Sequence, residues 1–261
     1  MSSIVLDRVT VRVEVDGRPV PKTLLAGLSL DLSEQRIGVI GANGSGKSTL
    51  LRLLNGLVAP TSGSVTIDGR DTVRAVRDVR RRVGFVFTDP LSQLVMPTGR
   101  EDVELSLRRS VRNAKERRSL AEATLDRFGL LPLADQSIYE LSGGERQLLA
   151  LAAVLAVEPE VLVLDEPSTL LDLRNRELLR RTVAGLRQQV ILSTHDLELA
   201  QDLDRVLVVD AGKVVFDGGA AAAVDHYRSL SAAGLPSAGL PAAGLPATGV
   251  PAAGRAGLEQ G

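Results

Sequence analysis

The chain is 261 residues long, with 44% hydrophobic and 24% charged residues. That is enough for one large α/β domain, or one domain with a small lobe and a tail, and too little for two independent enzymes. Thirty-one Lys and Arg against thirty-two Asp and Glu leave a net charge of -1. No global basic field exists to hold nucleic acid by counterion release, and no nucleic-acid partner is expected. Cysteine is absent, which excludes disulfides and thiolate metal sites and fits a reducing compartment.

The opening Met1-Ser2-Ser3-Ile4-Val5-Leu6-Asp7 meets a charge too early for the apolar core of a signal peptide, so a cytoplasmic location is expected. From Ile4 to Asp68 the text is short and β-rich: Ile4 to Val15, Leu28 to Leu32 and Ser64 to Asp68, separated by Gly and Pro turn signals. Within it, Ile37-Gly38-Val39-Ile40 stops at a glycine-rich loop and reads as a buried parallel strand. Further buried strands are predicted at Val83 to Phe87, Val161 to Leu164, Val190 to Leu192 and Val206 to Val209, with helices between them. Strands alternating with helices make a parallel sheet the economical architecture. Between Thr98 and Phe128 the run of Arg108, Arg109, Arg112, Lys115, Arg117 and Arg118 reads as a solvated helix pair in preference to an anion-binding patch.

The longest apolar stretch, Leu148 to Val157, is about half of the roughly 20 residues a membrane-crossing helix needs, so any crossing is expected on a partner. From Ser231 the chain turns low-complexity, with Gly-Leu-Pro recurring at Gly234, Gly239 and Gly244, and a disordered Gly/Pro/Ala-rich tail over 229–261 is predicted. His226 matches no motif and is expected at the surface.

Gly41-Ala42-Asn43-Gly44-Ser45-Gly46-Lys47-Ser48-Thr49 fits the phosphate-binding P-loop pattern, after a predicted strand and before a predicted helix. Glycines let backbone N–H groups turn inward around phosphate, and the helix N-terminus adds partial positive charge. Lys47 reaches the outer phosphates and the Ser48 hydroxyl ligates Mg2+. The strand Val161 to Leu164 ends in Asp165-Glu166, two adjacent carboxylates that are costly there unless something cationic compensates. Asp165 suits the magnesium, and Glu166 is placed to polarise the attacking water as general base. Leu141-Ser142-Gly143-Gly144-Glu145-Arg146-Gln147 is a second anion cradle at a helix start.

Taken together, the P-loop, the Asp-Glu strand and this Ser-Gly-Gly turn resemble the ATP-binding-cassette ATPases from about residue 4 to 228. The resemblance implies an α/β fold: a P-loop NTPase parallel sheet with an N-terminal antiparallel β-subdomain and a helical subdomain inserted at about 90–158. It implies a head-to-tail homodimer or heterodimer of ATPase subunits, in which Ser142, Gly143 and Gly144 of one subunit close over ATP held by Lys47 and Ser48 of the other. Pro167 to Asp172 looks like the D-loop, ending in Asp172, and His195 falls on the switch-histidine position at the γ-phosphate. Two positions depart from the family's pattern. Thr88 stands where the Q-loop glutamine is usual, with Gln93 nearby as a substitute, and Val13 stands where an aromatic usually stacks on adenine.

One cassette, no coiled coil and no membrane span leave a separate importer ATPase, peripheral on the cytoplasmic face of the membrane. A soluble regulatory cassette ATPase without a transporter is the alternative of another class. Val83 to Pro90, Gln93 and Glu101-Asp102-Val103 look like the energy-coupling-factor group, which implies a transmembrane scaffold subunit and a small membrane substrate-binding subunit. Gln35 to Ile40 and Leu94 to Thr98 are most similar to the ATPases of biotin transporters. Cobalt or nickel import is the main rival, and vitamin import through a shared module comes third.

Overall fold

The structure is a computed structural model, and it describes residues 2–234 apart from Asp16, Arg18 and Pro19. The chain runs β1 (Ile4–Val13), β2 (Lys22–Leu32), β3 (Arg36–Ile40), α1 (Lys47–Leu54), β4 (Ser62–Ile67), β5 (Arg70–Asp71), α2 (Val76–Arg82) and β6 (Val83–Val86). Three helices follow, α3 (Gly99–Leu107), α4 (Ala114–Arg127) and α5 (Gly143–Leu155). The remainder is β7 (Val161–Asp165), α6 (Leu173–Gly185), β8 (Gln189–Ser193), α7 (Leu197–Gln201), β9 (Arg205–Asp210), β10 (Lys213–Gly218) and α8 (Ala220–Gly234).

Two sheets result. The first is antiparallel, in the order β2-β1-β4-β5, and the second has the order β10-β9-β3-β8-β7-β6. Within the second, β3, β6, β7, β8 and β9 are parallel, and β10 is an antiparallel edge strand on β9. The crossing order places β3, which leads into the P-loop, between β8 and β9, with β7 next to β8. The strand ends carrying residues 41, 165 and 193 therefore lie side by side.

The apolar runs of the central strands are continuous because both faces of this sheet are covered. Val161, Val163, Ile191, Leu207 and Val209 pack with the antiparallel sheet and α1, while Leu162, Leu164, Val190, Leu192, Val206 and Val208 pack with α5, α6 and α8. That alternation is the two-residue period of a strand, divided between two cores. The helices α3, α4 and α5 are inserted between β6 and β7, and each begins at a side-chain cap: Thr98, Asn113 and Ser142.

Three features differ from the sequence expectation. The strand β10 was not foreseen, although Lys213 to Asp217 alternates exposed and half-buried residues after a turn at Ala211 and Gly212, both at positive φ. This is the pattern of a two-residue hairpin. The last helix continues to Gly234, so residues 229–234 are helical rather than part of a disordered extension, because Ala223 and Val224 anchor α8 in the core; the rest of the expected tail, 235–261, lies outside the described residues. His226 is not a plain surface residue: its ring stacks on Phe216 at 5.0 Å and its Nε2 is buried.

Candidate functional site

The P-loop follows β3 and is built on glycines in positive-φ backbone, two of them with no room for a side chain. Gly41, Gly44 and Gly46 have φ of 149°, 77° and 115°. A Cβ on Gly41 would lie 2.1 Å from the Val209 carbonyl oxygen, and one on Gly46 would lie 2.9 Å from the Leu24 oxygen. The loop is thus wedged between β9 and β2. The turn after β9 fixes it from the side, since Gly212 N–H donates to the Ser45 carbonyl at 2.8 Å and its own carbonyl accepts from Ala26 N–H at 2.9 Å. Ala42, Asn43 and Gly44 form the exposed lip, and Ser45 and Lys47 are buried.

The helix α1 opens at Gly46, which supplies no side-chain cap. The first-turn N–H groups at Lys47, Ser48 and Thr49 have no acceptor one turn earlier in the helix, whereas α3 to α7 all begin at a capping side chain. An uncapped helix start behind a glycine loop is what a phosphate group fits. The Lys47 ammonium donates to the Gly41 and Ala42 carbonyls at 2.9 and 3.2 Å and lies 3.6 Å from Glu166 Oε1.

The strand β7 delivers the two carboxylates. Asp165 is fully buried, and its Oδ1 accepts from Ser48 Oγ at 2.9 Å and from Ser193 Oγ at 2.8 Å. Its Oδ2 is buried without a hydrogen-bond partner, with Arg52 3.9 Å away. A carboxylate oxygen left bare beside a hydroxyl suits a hard divalent cation. Among the described residues no group of three or more His, Cys, Asp and Glu could hold a metal. Magnesium needs no such cage, because it binds through one or two protein oxygens and the substrate phosphates.

Glu166 sits at φ 52°, a left-handed conformation that is strained for a side chain other than Gly. Two bonds hold it there: its N–H donates to Ser193 Oγ at 2.9 Å and to the Ser193 carbonyl at 3.2 Å. Its carboxylate meets His195, whose Nδ1 is 2.7 Å from Glu166 Oε2 and whose backbone N–H donates to the same oxygen at 3.2 Å. Lys47, Ser48, Asp165, Glu166 and His195 are therefore one connected set. Ser193 joins two of them and was not singled out from sequence; its signal was a hydroxyl ending a buried strand beside the one that ends in Asp165.

The remaining predicted residues lie elsewhere. Ser142 caps α5 in a reciprocal box with Glu145, its N–H donating to Glu145 Oε2 at 2.7 Å and its Oγ accepting from Glu145 N–H at 3.2 Å. Gly143 and Gly144 pack beside Leu170 and Asn175, next to the segment expected to be the D-loop. Asp172 is exposed and caps α6 by accepting from Asn175 N–H at 2.8 Å. Thr88 is half-buried beyond β6. The Gln93 amide is held between Phe87 N–H at 3.2 Å and the Ala150 carbonyl at 3.1 Å.

The surroundings also explain two sequence strings. Arg36, at the end of β3 away from the P-loop, is buried, and its guanidinium donates to the carbonyls of Gln188, Ala184 and Leu186 while its N–H donates to Asp204. It pins the turn before β8. The loop Leu94 to Thr98 is folded around the buried Asp102, whose Oδ1 accepts from Val95 and Met96 N–H at 2.9 and 3.0 Å and leaves Val95 exposed.

Residues 25–169 match the family model described as ABC transporter. The chain is 45% identical over 211 residues to the biotin transport ATP-binding protein BioM of Rhizobium etli, covering 81% of this chain and 94% of that one. It is 36% identical to the energy-coupling factor transporter ATP-binding protein EcfA1 of Halalkalibacterium halodurans, covering 89% of this chain and 84% of that one. Among solved structures, a post-hydrolysis dimer of the ATP-binding cassette MJ0796 bound to ADP and Pi superposes with a TM-score of 0.76 at 29% identity, covering 83% of this chain and 98% of that one. A second is cbiO1 of Clostridium perfringens, part of the ABC transporter complex cbiONQ, with a TM-score of 0.72 at 27% identity, covering 88% and 93%. A phosphate-shaped loop against a bare carboxylate, on a fold shared with nucleotide-bound cassettes, has one explanation: the chain belongs to the ABC transporter family and is an ATPase.

Proposed function

We propose that this chain is the ATPase subunit of an energy-coupling-factor importer whose cargo is biotin. The observation that carries the chemistry is the connected set of Lys47, Ser48, Asp165, Glu166 and His195 at adjoining strand ends. The backbone N–H groups of residues 41–49 cradle the phosphates, and Lys47 leaves the Gly41 and Ala42 carbonyls for the outer ones. Ser48 and Asp165 would hold magnesium, which when bound neutralises charge on the β- and γ-phosphate oxygens. Glu166 takes a proton from the attacking water, the water oxygen bonds to the γ-phosphorus, and the bond to ADP breaks. His195, held by the Glu166 carboxylate, lies where it can contact the γ-phosphate as the chemistry proceeds.

The site is completed by a second subunit, whose Ser142–Gly144 turn closes over the nucleotide. The uncapped N-terminus of α1 supports the subunit's own phosphate site, while the Ser142–Gly144 turn lies at the capped start of α5 and would serve the partner's nucleotide. No helix among the described residues is long and apolar enough to cross a membrane, so the transmembrane scaffold and the small substrate-binding subunit are separate chains in this reading. Val95 and Leu91, exposed around the Leu94 to Thr98 loop, offer an apolar face for the scaffold. A cytoplasmic-face, peripheral location follows from that docking.

Biotin rests on the 45% identity with the R. etli protein. The 36% identity with EcfA1 favours a second reading, an energy-coupling factor that serves a different cargo. Labelled-biotin uptake in cells lacking the gene, beside cells carrying only Lys47→Ala, decides between them. Biotin uptake lost in both is the expected result. Normal biotin uptake in both contradicts the cargo and leaves the ATPase chemistry standing.

A further inference from the structure

Phe87 follows the last residue of β6, and both polar groups of its backbone are taken by glutamine side chains. Its N–H donates to Gln93 Oε1 at 3.2 Å, and its carbonyl accepts from Gln147 Nε2 at 3.5 Å. Gln93 Nε2 donates in turn to the Ala150 carbonyl at 3.1 Å. Gln147 and Ala150 both lie on α5, the helix whose N-terminus is the Ser142–Gly144 turn. On the opposite side β6 pairs in register with β7, Val86 opposite Leu164, so Phe87 comes level with Asp165.

Gln147 is only 3% exposed, and its Oε1 is buried with no hydrogen-bond partner. An unpaired buried amide oxygen is unfavourable, and a Met of the same length would fill the space without it. The apolar contacts of α5 hold it against the sheet. The two side-chain amides add directional links from one backbone unit of β6 to one face of α5.

Resting on the ATP hydrolysis proposed above, the geometry points to Gln147 and Gln93 as positioning residues: they lock the Ser142–Gly144 turn to the strand ends that carry Asp165 and Glu166. Thr88 stands one residue beyond Phe87, and the clamp supplies the link between loop and helix. In a dimer the turn of each subunit serves the other's nucleotide, so the clamp also couples the two sites.

The test is Gln147→Met and Gln93→Met in the full chain, read by kcat, KM for ATP and Tm. For Gln147→Met the Tm should stay within a few degrees of wild type, because the lost bond is offset by removal of the orphan oxygen. The KM should change by less than about twofold while kcat falls about tenfold, since a misplaced turn lowers transition-state stabilisation and leaves binding at the subunit's own P-loop intact. Gln93→Met, at a less buried position, should show the same split and serves alone if Gln147→Met does not fold. The double variant should be little worse than either single one, as expected of parts of one device. Wild-type kcat in both variants, or a kcat loss matched by an equal loss of Tm or ATP affinity, overturns the clamp. Glu166→Gln in the same series is the separate control: if it hydrolyses ATP at the wild-type rate the site reading fails, whatever the clamp does.

Discussion

The Lys47 ammonium is held by two loop carbonyls and faces Glu166 at 3.6 Å. An anionic phosphate competes well for a buried ammonium paired with neutral carbonyls. Lys47→Ala is expected to lose ATP affinity before any effect on chemistry, with fluorescent-nucleotide titration as the measurement; retained tight binding would contradict the role. Ser193 carries a different kind of load, donating to Asp165 and accepting from the strained Glu166 N–H. Ser193→Ala should cost about 1–3 kcal/mol of stability by denaturant melt, because it strips a partner from two buried groups, and should lower kcat as Glu166 relaxes. At this scale the sequence reading singled out residues that carry charge and passed over the hydroxyl between them. A carboxylate pair ending a strand is conspicuous in sequence; which neighbouring strand lies beside it is a matter of sheet order, and sheet order is not written locally.

At the scale of elements, the P-loop was legible because glycines at fixed spacing between a strand and a helix have a physical reason to be there. The clash that a Cβ on Gly41 would make with the Val209 carbonyl gives that reason a test. Gly41→Ala should shift the loop away from β9, weaken ATP binding and lower Tm; a variant with wild-type affinity would show that the wedge between β9 and β2 is not needed. Less legible was β10, a short edge strand whose alternation is half-exposed and whose turn at Ala211 and Gly212 lacks the usual Asn or Asp. The hydrogen bonds of Gln93 to Phe87 and the Ala150 carbonyl were not legible from sequence, because they depend on the packing of α5 against β6.

Across the whole molecule, the two cores on either face of the central sheet explain why the strands read as unbroken apolar runs and why the fold class was legible from sequence. The boundary near the C-terminus was not, because Ala220 to Gly234 is rich in small residues and only Val224 and its neighbours reach the core. The repeated Pro and Gly of residues 235–261 predict from sequence that removing them leaves Tm and ATPase rate nearly unchanged. A marked drop in Tm would show that the segment packs on the domain. Removing α8 as well should lower Tm, because Ala223 and Val224 are fully buried.

The central claim is that Glu166 is the base in an ATPase that closes as a dimer around nucleotide. Glu166→Gln keeps the shape of the side chain and removes its capacity to take a proton. Measured on one sample, by phosphate release and by size-exclusion chromatography with ATP, the variant should bind ATP, hydrolyse it about 10²–10⁴-fold more slowly than wild type and accumulate as an ATP-bound dimer. Hydrolysis at the wild-type rate, with no dimer trapped by ATP, would contradict it.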